Sequence, residues 1–265
     1  MELGKRLAKV ASLVLPVDTM ADVGCDHGYL SIYLTEQKRC NHIIAMDVNK
    51  GPLEKARENI QKYGYDDYIE TRLSDGLNRL QPGEAQGYVC AGMGGPLALQ
   101  ILWNDKDKVS TMSQVILQPQ SELWLVRRTL KQWGFVTEKE DIEYEDGKYY
   151  FMMRIRPVKG LSDAVLTKEE ASLFEDIRSD NESESAGCSL SERKLSEYAY
   201  ELFAKELLDA RNMLLYEYIE KEIKRLTDIC DSLEAQETSL KCQKRLNRIK
   251  MELTVHRWAL ERYEL

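Results

Sequence analysis

From Met20 to about Pro157 the chain alternates short apolar runs with amphipathic stretches. Ala21-Asp22-Val23 closes a first apolar run, and Tyr29 to Glu36 begins a helix. His42 to Asp47 reads as a short buried strand that ends in an acid. Gly51-Pro52-Leu53 to Lys62 predicts the next helix, with Pro52 in its first turn, where the missing N–H costs nothing. Ile69–Leu73, Gly87–Ala91 and Gln114–Leu117 predict a third, fourth and fifth strand. Strands and helices alternating at this spacing predict a mainly parallel sheet covered on both faces. Two further runs, Gly134–Glu138 and Tyr149–Ile155, flank Glu145-Asp146-Gly147-Lys148. Asp-Gly is a strong hairpin turn signal, so these runs should pair antiparallel.

The pattern changes after Pro157. Ser179 to Ser191 is polar and reads as a flexible connection. Beyond it, Ile219, Ile223, Leu226, Cys230 and Leu233 recur at alternating spacings of four and three. Cys242, Leu246, Ile249, Leu253, His256 and Leu260 continue the same repeat after a break at Ala235 to Ser239. No Gly or Pro occurs from Leu190 onward. These features predict an antiparallel helical hairpin packed as a short coiled coil. The expected domains are therefore an α/β domain over residues 1–158 and a helical domain over 159–265. A parallel sheet ending in an antiparallel hairpin is the plan of Rossmann-like methyltransferases, whereas dehydrogenases finish parallel.

Size, charge and cysteines narrow the class. The chain has 265 residues and a net charge of −8, which argues against nonspecific coating of nucleic acid but leaves room for local basic faces. Three basic groups stand out: Lys5, Arg6 and Lys9; Arg127, Arg128 and Lys131; and Lys241, Lys244, Arg245, Arg248, Lys250 and Arg257. Each taken alone reads as an ordinary solvated helix face. No apolar run approaches the ~20 residues that span a bilayer. The N-terminal stretch faintly resembles a signal peptide, but an amphipathic first helix fits better, because cleavage would fall just ahead of the first strand's turn. The six cysteines, Cys25, Cys40, Cys90, Cys188, Cys230 and Cys242, form no C-x-x-C pair and have no histidine at zinc-ligand spacing. Reduced thiols in a cytoplasm, with no metal and no membrane, are expected.

The chemistry concentrates at strand ends. Asp22-Val23-Gly24-Cys25-Asp26-His27-Gly28 is a D-x-G-x-x-x-G form of the turn that joins first strand to first helix in nucleotide-binding α/β domains. Gly24 and Gly28 lack the Cβ that would bar a ligand from close approach. Carboxylates around the turn suit a ligand without phosphates, which points to S-adenosylmethionine rather than NAD or ATP. Asp47, with Val48 beside it, stands about 20 residues further on, where an acid accepts hydrogen bonds from ribose hydroxyls. The bland alternative is an acid capping the next helix. Ser74-Asp75-Gly76 ends the third strand, where Asp75 suits an adenine amino group or merely a tight turn. Ala91, Gly92, Met93, Gly94 and Gly95 end the fourth strand, in the crevice where open α/β sheets bind ligands. A tight strand–helix turn explains one of those glycines easily and three poorly. The Asn/Asp-Pro-Pro-aromatic tetrapeptide of amino-group methylases is absent there, which weighs against N6 methylation. Gln118, Pro119, Gln120 and Ser121 end the fifth strand; their polar groups suit a base edge, a methionine carboxylate or plain helix capping. Asp26 is the stronger catalytic candidate, and His27 equally suits a structural role in the turn. Tyr29, just after the turn, is a more interesting aromatic than the Tyr63, Tyr65 and Tyr68 group, whose safer reading is packing.

Taken together, these motifs resemble the bacterial TrmK family, the tRNA (adenine-22-N1)-methyltransferases. The resemblance runs through K-R-L-x-x-V-A (Lys5 to Ala11), D-x-G-x-D-H-x-Y-L (Asp22 to Leu30), S-D-G-L (Ser74 to Leu77) and A-G-M-G-G (Ala91 to Gly95). It continues through L-Q-P (Leu117 to Pro119), E-D-G-K-Y-Y (Glu145 to Tyr150) and the helical hairpin. In the family the Q-P motif is often followed by Asn, where Gln120 stands here, and some members carry Glu in place of Asp47. The resemblance implies a class I Rossmann-like fold, S-adenosylmethionine as cofactor and tRNA as partner. It implies cofactor contacts from Asp22, Gly24, Asp26, His27, Gly28, Asp47, Val48, Ser74, Asp75, Gly76, Ala91, Gly92 and Met93. Asp26 would stabilise the methylated base or take a proton from it. Tyr29, Gly94, Gly95, Gln118, Pro119 and Gln120 would meet the substrate, with Lys5 and Arg6 on the tRNA backbone. The helical hairpin would hold tRNA, or serve as a brace or homodimer contact. Other expectations left open are methylation at another RNA position or of a small molecule, and a non-catalytic RNA-binding module.

Overall fold

A computed structural model describes residues 1–158, 191–235 and 240–264. The chain divides into two units, Met1–Ala164 and Val165–Leu265. The first holds α1 (Lys5–Leu13), β1 (Val17–Val23), α2 (Tyr29–Glu36), β2 (Cys40–Asp47), α3 (Lys50–Tyr63) and β3 (Ile69–Leu73). It continues with β4 (Gly87–Met93), α4 (Gly95–Asn104), α5 (Lys106–Val109), β5 (Gln114–Pro119), α6 (Leu123–Gln132), β6 (Phe135–Glu145) and β7 (Lys148–Pro157). The seven strands lie in the order β3-β2-β1-β4-β5-β7-β6. β1 to β5 pair parallel, and β7 runs antiparallel to both β5 and β6. This is the Rossmann-like plan expected from the sequence. Central strands are buried on both faces, so β5 is buried at every position while edge strand β3 is buried at Ile69 alone.

The hairpin forms where Asp146-Gly147 predicts it. Both turn residues have positive φ, 48° and 80°, and Glu145 pairs with Lys148 across a two-residue loop. β6 runs seven residues past the expected Glu138, and a bulge between Thr137 and Lys139 breaks its alternation. Its acids are held by neighbouring elements. Glu138 pairs with Arg154 and Arg156, and Asp141 and Glu143 pair with Lys9 of α1. Glu140 takes Arg127 in a bidentate pair whose side chains are only 5% and 7% exposed. Arg127 therefore does not belong to a solvated basic face with Arg128 and Lys131; it is buried, with Phe151 beneath its guanidinium. Helix α1 is amphipathic as expected and buries Val10, Ala11 and Leu13.

The second unit holds α7 (Glu192–Phe203), α8 (Lys205–Asp209), α9 (Met213–Glu234) and α10 (Leu240–Glu261). Leu226, Cys230 and Leu233 of α9 meet Ile249 and Leu253 of α10, with Ile223, Cys242 and Leu246 at the margin. The predicted seam is therefore the packed one. His256 continues it: the ring meets Phe203 edge-on at 4.8 Å, and burial pushes its pKa down. α10 also buries Val255, Trp258 and Ala259, which the heptad pattern does not predict, and the Trp258 indole donates to Glu192 at 2.8 Å. Ser191 caps α7, its hydroxyl accepting from the Lys194 amide. The expected flexible connection from Ser179, Cys188 and most of the break at Ala235 to Ser239 lie outside the described residues. Among the described residues no helix is long and apolar enough to cross a membrane, and no group of three or more His, Cys, Asp or Glu is set to hold a metal.

Candidate active site

A cavity of about 390 Å³ opens where β1 and β4 lie side by side, the point at which the strand order reverses. The turn after β1 forms its base. Gly24 adopts φ 76°, and its amide and that of Cys25 donate to the Met46 carbonyl at 2.8 and 3.0 Å. A Cβ on Gly24 would sit 2.4 Å from Met93 Cε, the end of a flexible chain that could move aside, so it is the left-handed backbone that favours glycine here. Asp26 also has positive φ, 49°, tolerated by a short polar side chain, and its carboxylate is 68% exposed at the cavity.

Asp47 organises this wall. Its Oδ2 accepts from the Asp26 amide at 3.3 Å and its Oδ1 from the Asn49 amide at 2.8 Å. Asp22 is 3% exposed and accepts from the Ser31 hydroxyl at 2.6 Å. Burial pushes the Asp22 carboxyl up to about 6; the Ser31 hydroxyl opposes the rise and the Asp47 charge adds to it. The same wall leaves Cys25 inert, because burial and the acids raise its thiol pKa.

The opposite wall is built by α1 and the ends of β4 and β5. Gly92 has φ 87°, and a Cβ there would lie 3.7 Å from both Arg6 Nη1 and Gln120 Nε2. Arg6 Nη1 donates to Gln118 Oε1 at 2.8 Å, and the guanidinium lies 5.5 Å from the Tyr150 ring centre. The Gln120 amide donates to the Met93 carbonyl. Near the acids, His27 and Tyr29 stack at 5.8 Å, and the His27 carbonyl accepts from Asn59 Nδ2.

The cavity brings together Asp22, Gly24, Asp26, His27, Tyr29, Asp47, Ala91, Gly92, Met93, Gln120 and Arg6. The other expected residues fall outside its lining. Gly28 packs against Ala56 of α3, and Val48 is 59% exposed beside the strand end. Ser74 joins its own turn, donating to the Gly76 carbonyl and accepting from the Arg79 amide; Asp75 is exposed. The Ser74 amide does donate to the Asp47 carbonyl at 2.9 Å, which keeps that turn beside the acid. Gly94 caps α4, and a Cβ on Gly95 would meet the Ser121 carbonyl oxygen at 2.5 Å, so packing explains that glycine. Ser121 does cap a helix, but it is α4 through the Gly95 amide rather than its own. Gln118 and Pro119 are buried, Gln118 behind Arg6, while Lys5 is exposed with its amide held by Glu145. Leu7, Cys25, Leu30, Asn49 and Pro52 also line the cavity. Leu7, Cys25 and Leu30 lie inside motifs the sequence singles out, and Asn49 and Pro52 follow the acid that ends β2, but nothing in those segments names them as lining residues.

Comparison with known proteins agrees with this geometry. A family model described as a methyltransferase domain matches residues 3–153. The tRNA (adenine(22)-N(1))-methyltransferase of Bacillus subtilis strain 168 is 36% identical over 150 residues, which cover 57% of this chain and 63% of that protein. The chain thus aligns with a little under two thirds of that relative's length. The crystal structure of the B. subtilis m1A22 tRNA methyltransferase TrmK superposes with a TM-score of 0.76 at 26% identity, covering 98% of this chain and 99% of that one. Mycoplasma capricolum TrmK, solved with the cofactor product S-adenosylhomocysteine, superposes with a TM-score of 0.69 at 26% identity over 96% of this chain and 99% of that one. The chain belongs to the methyltransferase-domain family.

Proposed function

We propose that the protein transfers a methyl group from S-adenosylmethionine to N1 of adenine 22 in tRNA. The observation that carries this reading is the acid-walled cavity at the sheet's switch point, closed on its other side by bare Gly92. The residues fit the cofactor. Each Asp47 oxygen has one lone pair taken by a backbone N–H and another free to accept from neighbouring ribose hydroxyls. Asp22 accepts from a hydroxyl and Asp47 from backbone amides, neutral donors that leave the acids suited to a cationic ligand and unfavourable to phosphates. S-adenosylmethionine, when bound, supplies a methyl group already activated on a sulfonium.

What remains for the protein is placement, exclusion of water and management of charge. His27 and Tyr29 offer stacked rings beside the acids for an unstacked base; flipping a nucleotide costs a few kcal/mol, which such contacts offset. The adenine N1 lone pair forms the new N–CH3 bond as the S–CH3 bond breaks and its electron pair returns to sulfur as a neutral thioether, and the base becomes cationic. Asp26 stabilises that charge or takes a proton from N6, and its left-handed backbone, tied to Asp47, presents the carboxylate to the cavity. The second unit carries exposed Lys244, Arg245 and Arg248 on one side of α10, a face that suits tRNA phosphates. The test is transfer of labelled methyl groups to unmodified tRNA. Asp26→Asn should lower kcat by about 100-fold, in the range of a lost acid–base group, while the cofactor Kd changes less than about threefold. Near-normal turnover by the variant would remove Asp26 from the chemistry.

A further inference from the structure

The turn that carries Asp26 is gripped on both sides of that residue. Its own amide donates to Asp47 Oδ2 at 3.3 Å, and the carbonyl of the next residue, His27, accepts from Asn59 Nδ2 at 3.0 Å. That second donor comes from a neighbouring helix. The Ser31 amide, four residues further along the chain, bonds Asp22 together with the Ser31 hydroxyl.

Asn59 is placed by the fold. Gly28 packs on α3, where a Cβ would lie 3.2 Å from the Ala56 Cβ, and Asn59 stands one turn beyond Ala56 on the same helix face. Leu53, Ala56 and Ile60 bury that helix, so its packing does not need the half-buried Asn59 side chain. The start of α3 is tied to the same acid as the turn, because the Asn49 amide donates to Asp47 Oδ1. Asp47 thus holds the turn directly at Asp26 and, through α3, at His27.

Between the two grips lie the backbone torsions of Asp26, at φ 49°, a region where residues other than glycine persist only when their surroundings hold them. We infer that Asn59 is a positioning residue for the proposed reaction. By holding the His27 carbonyl it sets the direction of the Asp26 carboxylate and of the stacked His27 and Tyr29 rings. Asn59 does not itself line the cavity, so it acts through that turn. The inference rests on the role proposed for Asp26 above.

The test is a double-mutant cycle on the full chain. Single-turnover methyl transfer to tRNA gives the rate, and calorimetry gives the affinity for S-adenosylmethionine. Asn59→Asp keeps the shape and removes the donor; the rate should fall by about 10-fold while the cofactor Kd moves less than about threefold. Asn59→Gln keeps the amide, should recover most of the rate, and guards against a folding defect in the first variant. In an Asp26→Asn background, Asn59→Asp should cost less than about twofold more, because the carboxylate that it aims is already gone. A cost of about 10-fold in that background too would show that Asn59 does not act through Asp26, and overturn the inference. So would a matched loss of cofactor affinity, which would make Asn59 a support of the fold. A rate within about threefold of wild type in Asn59→Asp, with Asp26→Asn impaired, would overturn it as well. Near-normal turnover by Asp26→Asn, or no transfer by the wild type, would instead remove the reading of Asp26, and the inference with it.

Discussion

Replacing Asp47 by Asn tests the acid wall with almost no change of shape. Both carboxylate oxygens accept a backbone N–H, from Asn49 at 2.8 Å and from Asp26 at 3.3 Å. An amide has one oxygen. The shorter bond should keep it, which turns the new side-chain NH2 toward the Asp26 amide, donor against donor. The variant therefore loses the tie that holds Asp26 in its left-handed conformation. It also replaces a charged acceptor for ribose hydroxyls by a neutral one. A hydrogen bond to a charged group contributes about 1.5–3 kcal/mol, so the Kd for S-adenosylhomocysteine should rise by about 10- to 100-fold. Isothermal titration calorimetry reads this, with a thermal melt to show that the variant is folded. A Kd within about threefold of wild type in a folded variant would refute the ribose role of Asp47.

Asp22 makes stability depend on pH. Its folded pKa of about 6 lies above the ordinary 3.8, so between those values the folded state holds more protons than the unfolded one, and stability falls as pH rises through that window. The loss is at most about 3 kcal/mol. Urea unfolding at pH 4.5 and pH 7 should show that Asp22→Asn removes this component, and an identical pH dependence in variant and wild type would contradict it. Arg127→Met takes the bidentate guanidinium away from the buried Glu140 carboxylate, and chemical denaturation should report a loss of about 3–5 kcal/mol. Arg127→Met with Glu140→Leu should recover most of that loss; a double variant as unstable as the single one would show that packing, not charge, dominates there.

Much of the fold is legible in the sequence because the central strands are covered on both faces and therefore read as continuous apolar runs. The hairpin is legible from Asp146-Gly147, whose two positive φ angles few other pairs adopt so easily. β6 reads too short because five acids interrupt its pattern. Their partners, Lys9, Arg127, Arg154, Arg156 and the α1 amides, are distant in sequence, and no local signal announces them. The same holds at the site. The turn from Asp22 to Gly28 and the acid Asp47 are local signals, and most of the residues they name meet in the cavity. Arg6 groups with surface lysines in the sequence because nothing in its own segment reveals Gln118 or Tyr150, each more than a hundred residues away. Gln118 is expected to face a ligand; it is buried and accepts from Arg6, which lines the cavity. The α10 seam is legible from its heptads, but Trp258 reaches Glu192 of α7, a partner that a two-helix pattern does not contain.

The central claim is methylation at one nitrogen of one nucleotide. Nucleoside mass spectrometry, after incubation with S-adenosylmethionine, should be run on unmodified tRNA carrying adenine at position 22 and on a matched tRNA carrying guanine there. The account predicts 1-methyladenosine in the first and none in the second. Equal 1-methyladenosine in both would place the target elsewhere in tRNA, and none in either, with the cofactor bound, would contradict the assignment of tRNA as substrate.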